Sequence, residues 1–305
     1  MKPKVYKSLL LREINSLNQS SYAKSPTADF TRCRKLPFNT LITTMLRMEG
    51  QSMGNELISI FPRASETPSV SAFIQQRNKL KPGVFDDLFH ALVLSTESVQ
   101  LPKTINGLRL LAIDGSDIHI PTDPTHVESL ISLKQGRETY NMLHMNALYD
   151  LLQKTYVDEI IQDYNRMNEH KAFDAYPPSE IKRLYSMRWG IETSFRSLKY
   201  TVGLLYFHSK KAEYIRHEIV ARLIMYNFSE MITTHVIIHR KDRKYDYKIN
   251  FAVAVHVCRL FFRGDIAPPD LEAQLSRNIV PIRPDRRRKR EKHSSSVISF
   301  TYRLA

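Results

Sequence analysis

Apolar residues recur along most of this chain at the three-to-four-residue spacing of amphipathic helices, and only the middle changes to strand-length runs. Residues 1–30 are polar, with Ser and Asn clusters, and predict one helix at about 4–17 followed by a loop. Residues 36–61 read as helical through Leu41, Ile42, Met45, Leu46 and Met48, then Met53, Leu57, Ile58 and Phe61. From Ser69 to Leu94 the apolar positions are Phe73, Leu80, Phe85, Leu88, Phe89 and Leu92, and Pro82-Gly83 divides the run. Ala212 to His235 predicts a long helix with Ile215, Ile219, Leu223 and Phe228 inward, and Tyr247 to Phe262 predicts one more.

Between these helical regions, Leu108 to Ile113 is a short apolar run ending at Asp114-Gly115-Ser116. It predicts a buried strand that presents Asp114 at its C-terminal end, the edge where open α/β sheets carry reactive groups. Met142 to Leu152 and Thr155 to Ile161 predict two further strands joined by a tight turn near Gln153-Lys154. The expected fold class is α/β in the mixed α+β sense, with an all-helical N-terminal region ahead of the sheet.

The stretch Tyr185 to Lys199 combines two patterns. A helix advances about 100° and about 1.5 Å per residue, so Tyr185, Arg188, Glu192 and Lys199 fall in one stripe about 60° wide and about 21 Å long. Beside it Leu184, Ile191, Phe195 and Leu198 form an apolar stripe that can pack on a core. A carboxylate flanked by cations and a phenol suits metal and phosphate binding. The same spacing also fits an exposed helix with an Arg188–Glu192 pair, which contributes only a few tenths of a kcal/mol. Pro177-Pro178-Ser179 would open this helix, and Gly190 inside it would allow a close approach.

The Tyr-x2-Arg-x3-Glu-x6-Lys spacing, set in RWGIETSFRSLKY, resembles the YREK signature of bacterial insertion-sequence transposases of the DDE type. RKLPF near the N-terminus, LAIDGSDIHIP in the middle and FHSKK after the signature helix resemble the same family, in the same order, over most of the chain. The resemblance implies an RNase H-like sheet with Asp114 ending its first strand. It implies that Asp114 and Glu192 are the first and third catalytic carboxylates and metal ligands. In that chemistry three carboxylates hold two Mg2+ ions about 3.5–4 Å apart. It further implies that Arg188 and Lys199 hold DNA phosphate, that Tyr185 contacts the backbone, and that the basic corner with Lys210 and Lys211 binds DNA. Residues 1–100 would help to recognise the transposon end. Asp117 reads either as a second ligand or as a loop carboxylate, the loop being favoured.

The match fails at the second Asp. The family carries it on a later strand, in a segment of the form ADRGY, and no such segment occurs here. Only 33 residues separate Asp158 from Glu192. NEHKAF runs straight into DAYPPSEIKRLY, so the junction near Phe173-Asp174 resembles an internal deletion. Asp158, Asp163 and Asp174 are nearby acids, but none sits where the motif requires. The expectation is a truncated RNase H-like sheet within 101–265, in a transposase-type protein whose DNA affinity is retained and whose cleavage is lost or weak. The alternative is a DNA-binding remnant that inhibits the intact enzyme, through transposon ends or mixed dimers. A shortened sheet would also uncover apolar helix faces and invite oligomerisation.

Charge sharpens the choice of partner. Lys plus Arg is 45 against 31 Asp plus Glu, a net +14, which favours a polyanion. No apolar run reaches the roughly 18 residues of a membrane span, and no basic amphipathic helix stands out, so double-stranded DNA is the expected partner. A purely RNA-binding or structural basic protein would leave the Asp114 strand and the signature spacing without a role. The tail 281–293 contains Arg286 to Arg290 and would bind nucleic acid by counterion release; it falls within 266–305, which is expected to be a basic, disordered tail. Cys33 and Cys258 suggest neither a disulfide framework nor a metal motif, and the basic N-terminus does not read as a secretory signal. Both fit a bacterial cytoplasm.

Overall fold

The computed structural model describes residues 3–32, 35–131, 139–166, 189–238 and 245–282. Six helices come first: α1 (Pro3–Ser16), the single turn α2 (Gln19–Tyr22), α3 (Phe38–Arg47), α4 (Met53–Ile60), α5 (Val70–Arg77) and α6 (Val84–Val99). Side-chain caps mark the starts of α2, α4 and α5: Ser69 Oγ, for example, accepts the Ala72 N–H at the head of α5. The expected break at Pro82-Gly83 is a left-handed Gly83, φ 87°, directly before α6.

A four-stranded antiparallel sheet follows, built from β1 (Leu111–Ile120), β2 (Leu130–Ile131), β3 (Tyr140–Asp150) and β4 (Thr155–Asp163). β3 is central, with β1 on one side and β2 and β4 on the other. The β3–β4 turn is held by Asp150, whose carboxylate accepts the backbone N–H groups of Leu152 and Gln153 and the Nε of Arg109. Lys154 closes the turn at φ 61°.

After the sheet come α7 (Trp189–Ser197), a π-helical turn over Leu198–Val202, α8 (Ala212–Thr233), β5 (Tyr247–Ile249), α9 (Phe251–Arg263), α10 (Pro268–Arg277) and β6 (Ile279–Pro281), with β5 and β6 paired. The architecture is mixed α+β: helices at the N-terminus, then a small sheet with flanking helices.

α8 is the centre of the molecule. Seventeen of its 22 residues are buried, so it has no solvent stripe, and α1, α3, α6, α9 and β4 all pack on it. The core is continuous from Tyr6 and Leu10, through Phe85 and Phe89, to Ile219, Phe228 and Phe262. Polar pairing seats the sheet on α8. Val157 is left unopposed where the β3–β4 register slips, and beside it the Asn227 side chain accepts the Tyr156 N–H and donates to the Tyr156 carbonyl, both at 2.7 Å.

Several expectations are corrected. Asp114 does not end a strand at 108–113; it is the fourth residue of a strand that runs on to Ile120, paired with Ala147. Asp117 lies in that strand and not in a loop, because the polar Asp-Gly-Ser-Asp run is paired throughout with β3. Residues 247–262 are not one helix: Asn250 caps α9 and leaves Tyr247–Ile249 to pair with β6. The expected disorder from 266 is replaced by α10 and β6 as far as residue 281. The helix opening at 177–179, the junction near 173 and 174, and the Arg286–Arg290 run lie outside the described residues.

Gly203 ends the π-helical turn at φ 96°, and a Cβ there would collide with the Glu49 carbonyl oxygen. Gly203→Ala therefore combines backbone strain with a backbone clash and should destabilise the chain by about 1–3 kcal/mol or more, read as a fall in the thermal unfolding midpoint.

Candidate functional site: the β1–α7 face and its basic corner

Strand alternation places Ala112, Asp114, Ser116 and Ile118 on one face of β1, in line with Ala147 and Tyr149 of β3. That face looks toward α7. Tyr149 and Tyr156 stack edge to face at 5.0 Å, the Tyr156 hydroxyl meets Ser194 Oγ at 2.8 Å, and Phe195 lies against the Tyr156 ring. Asp114 is half-buried there, and its Oδ1 accepts the Gly115 N–H at 3.1 Å.

The α7 helix seats itself as its apolar stripe requires: Ile191, Phe195 and Leu198 are buried, and α7 packs against β1. Gly190 supplies a close approach, since a Cβ there would sit 2.8 Å from the Leu151 side chain at the β3–β4 turn. Glu192 is half-buried on the flank of this stripe. The structure therefore packs the elements carrying Asp114 and Glu192 against each other. Tyr185 and Arg188 lie outside the described residues.

Lys199 falls in the π-helical turn, half-buried. Burial lowers its pKa, opposed by the attraction of Asp117. Lys210 and Lys211 are exposed immediately before α8.

The opposite face of β1 carries a pair that the sequence did not signal. His144 Nδ1 donates to Asp117 Oδ1 at 2.7 Å, and its Nε2 lies 3.2 Å from Asn146 Oδ1. The ring lies across Gly115, where a Cβ would come within 2.6 Å of Nε2. Only the cross-strand register brings Asp117 and His144 together, so no local spacing could have revealed it.

The FHSKK corner contains a second feature missed in sequence. His208 faces Glu218 through Nδ1 at 3.2 Å, and through Nε2 it faces the Gln51 carbonyl at 3.0 Å and Glu56 at 3.7 Å. Two acceptors on one ring require an imidazolium. Burial alone would disfavour that charge, but the hydrogen bond and charge of Glu218, with Glu56 beside it, push the pKa up to about 9. Burial likewise opposes ionisation of Glu218 and Glu56, yet their partners hold both carboxyls down at about 2. For Glu218 those partners are His208, Arg222 and Arg77; for Glu56 they are His208 and the backbone N–H groups of Gln51 and Gly50. His208 is thus a buried staple between α4, α8 and the basic corner.

The family model of the transposase DDE domain matches residues 158–228. No curated protein and no solved structure matches. The matched segment takes in most of β4, α7 with Glu192, the π-helical turn with Lys199, the His208 corner and most of α8; Asp114 lies before it. The match covers less than half of the chain; it supports a likeness to DDE-type transposases, a family that acts on DNA and generally uses a divalent metal. No helix among the described residues is long and apolar enough to cross a membrane.

The donors can be tested against that metal. Asp114 and Glu192 offer hard carboxylate oxygens of the kind Mg2+ prefers. Among the described residues, however, the two groups of three acid or imidazole side chains close enough to hold an ion are His90, Asp158 and Glu159, and His126, Glu128 and Asp163. Neither contains Asp114 or Glu192, so the described donor set is incomplete for a pair of ions.

The His208 staple gives a pH dependence with a definite sign. Its stabilisation is full below the ordinary histidine value of 6.5 and is lost as pH rises through about 9. The contribution of Glu56 and Glu218 is full above 4.5 and is lost as pH falls toward about 2. His208→Gln should flatten the alkaline arm of a plot of unfolding midpoint against pH. Glu218→Gln should cost about 3–5 kcal/mol in denaturant unfolding, because it leaves buried cations uncompensated.

Proposed function

We propose that this chain is a DDE transposase-type protein that binds insertion-sequence ends and whose strand cleavage and transfer are lost or weak. The observation that supports this most directly is the packing of the Asp114 strand against the Glu192 helix; the absence of an ADRGY-like segment from the sequence is what argues for lost or weak cleavage. Asp114 and Glu192 would hold Mg2+, which when bound activates the attacking water or 3′-hydroxyl and stabilises the leaving oxygen. With two carboxylates in place of three, both affinity and the fixed spacing of the ions suffer.

On this reading Tyr185, Arg188, Lys199, Lys210 and Lys211 grip the DNA backbone. The helical region 1–100 helps to recognise the end, and 101–265 is the shortened catalytic domain with its deletion near 173 and 174. The net charge of +14 favours the DNA partner. Occupying transposon ends, or forming mixed dimers with a full-length enzyme, would turn such a chain into an inhibitor acting in the cytoplasm; a homodimer is the other assembly this reading allows.

A supercoiled-plasmid nicking assay with Mg2+ or Mn2+ should give little or no nicking, while a gel shift on insertion-sequence ends shows binding. Robust nicking that depends on both Asp114 and Glu192 would refute the loss of activity. Replacing Lys210 and Lys211 together by Ala should weaken DNA binding and lower the slope of log affinity against log salt by up to about 2. An unchanged slope would remove these lysines from the interface.

A further inference from the structure

A cluster well apart in sequence from the Asp114–Glu192 pair has a different chemistry. Asp86 and His90 stand one turn apart on α6, and Asp158 and Glu159 are adjacent on β4. The ligand atoms of His90, Asp158 and Glu159 lie within 4.8 Å of one another. His90 Nε2 is 2.8 Å from Asp158 Oδ1, and both side chains are about half exposed, which leaves a route in from solvent.

Glu159 is the observation that points to a ligand. It is 8% exposed, and neither carboxylate oxygen receives a hydrogen bond among the described residues. Its neighbour within hydrogen-bonding reach is another carboxyl, Asp86. Burial, then Asp86 and Asp158, push the Glu159 carboxyl up to about 9, and burial also raises Asp86. A buried carboxyl within hydrogen-bonding reach of a half-buried one, beside an imidazole, calls for a cation or a shared proton between them.

The arginine whose charge reaches Asp86 is already engaged. Arg216 bonds the Ile161 carbonyl and pairs with Asp163 at 3.0 Å, so its charge reaches Asp86 only from a distance. That same pairing places an arginine in the other candidate group, on Asp163, and leaves the α6–β4 cluster as the better seat for an ion.

We propose that His90, Asp158 and Glu159, with Asp86 beside Glu159, form a binding site for a divalent transition-metal ion of the Zn2+ or Mn2+ class, which ties helix α6 to strand β4. One imidazole among carboxylates favours such ions over Mg2+, which prefers oxygen ligands and water. Bonds of about 2.1 Å in a tetrahedral array set ligand atoms about 3.5 Å apart, a spacing that small side-chain rotations reach from the observed cluster. The ion would neutralise Glu159 and clamp the helical region to the sheet. The inference does not depend on the transposase reading.

The test is equilibrium dialysis of the full, EDTA-treated chain against Zn2+ and Mn2+, with thermal unfolding in parallel. Wild type and Asp114→Asn/Glu192→Gln should both retain one bound ion per chain and a metal-dependent rise in unfolding midpoint. His90→Gln/Asp158→Asn, changed at exposed positions, should lose that ion and that rise while keeping its circular dichroism spectrum. Glu159→Gln should weaken binding about tenfold or more. The proposal is overturned if His90→Gln/Asp158→Asn binds like wild type. It is equally overturned if wild type binds no ion beyond what Asp114→Asn/Glu192→Gln loses, in which case Asp86 and Glu159 share a proton.

Discussion

A helix buried on all sides must satisfy within the protein whatever charge it carries, and α8 carries Glu218 and Arg222 through the middle of the core. Glu218 accepts the His208 backbone N–H and faces the His208 ring, Arg222 and Arg77. Arg222 in turn donates to the Gly203 and Tyr206 carbonyls, which fixes the loop after the π-helical turn. These contacts draw α4, α5 and the basic corner onto one axis. An isolated ion in that setting would be strongly unfavourable. The groups therefore order one another, and the segment that carries Lys210 and Lys211 inherits its position from them.

The β1–α7 face depends on this axis at one remove. α8 supports the sheet through Asn227 on the slipped strand and through the Tyr149–Tyr226 hydroxyl contact at 3.1 Å. The sheet then offers Tyr156 to Ser194 and Phe195, and so sets the position of α7. Glu192 is held by packing that runs back through tyrosines to the central helix, and Asp114 by pairing in β1. A face built this way can keep its geometry after loss of a strand elsewhere, since its supports lie on the α8 side. A retained fold with impaired chemistry is thus physically coherent.

The sequence was most legible where periodicity is local. The amphipathic helices α1, α3, α4 and α6 follow apolar spacing closely, as does the buried stripe of Ile191, Phe195 and Leu198. It was least legible where polar residues are buried by long-range pairing. The polar Asp-Gly-Ser-Asp run reads as a loop, yet β3 pairs every residue of it. Tyr247–Ile249 reads as helix, yet β6 captures it as a strand. Glu159 carries no signal in the sequence, yet it is buried on the strand that packs against α6.

By itself the sequence determined the helix-then-sheet order, the basic charge, the seating stripe of the signature helix and the resemblance that made Asp114 and Glu192 candidates. These rest on nearest-neighbour spacing and composition, which any window of the chain contains. The tertiary structure alone decided that His208 is a buried imidazolium, that Asp117 meets His144, and that Asp86, His90, Asp158 and Glu159 converge. Each of those depends on groups brought together across the sheet or around α8, and the energy of a buried charge is set by what surrounds it in space and not by its neighbours along the chain.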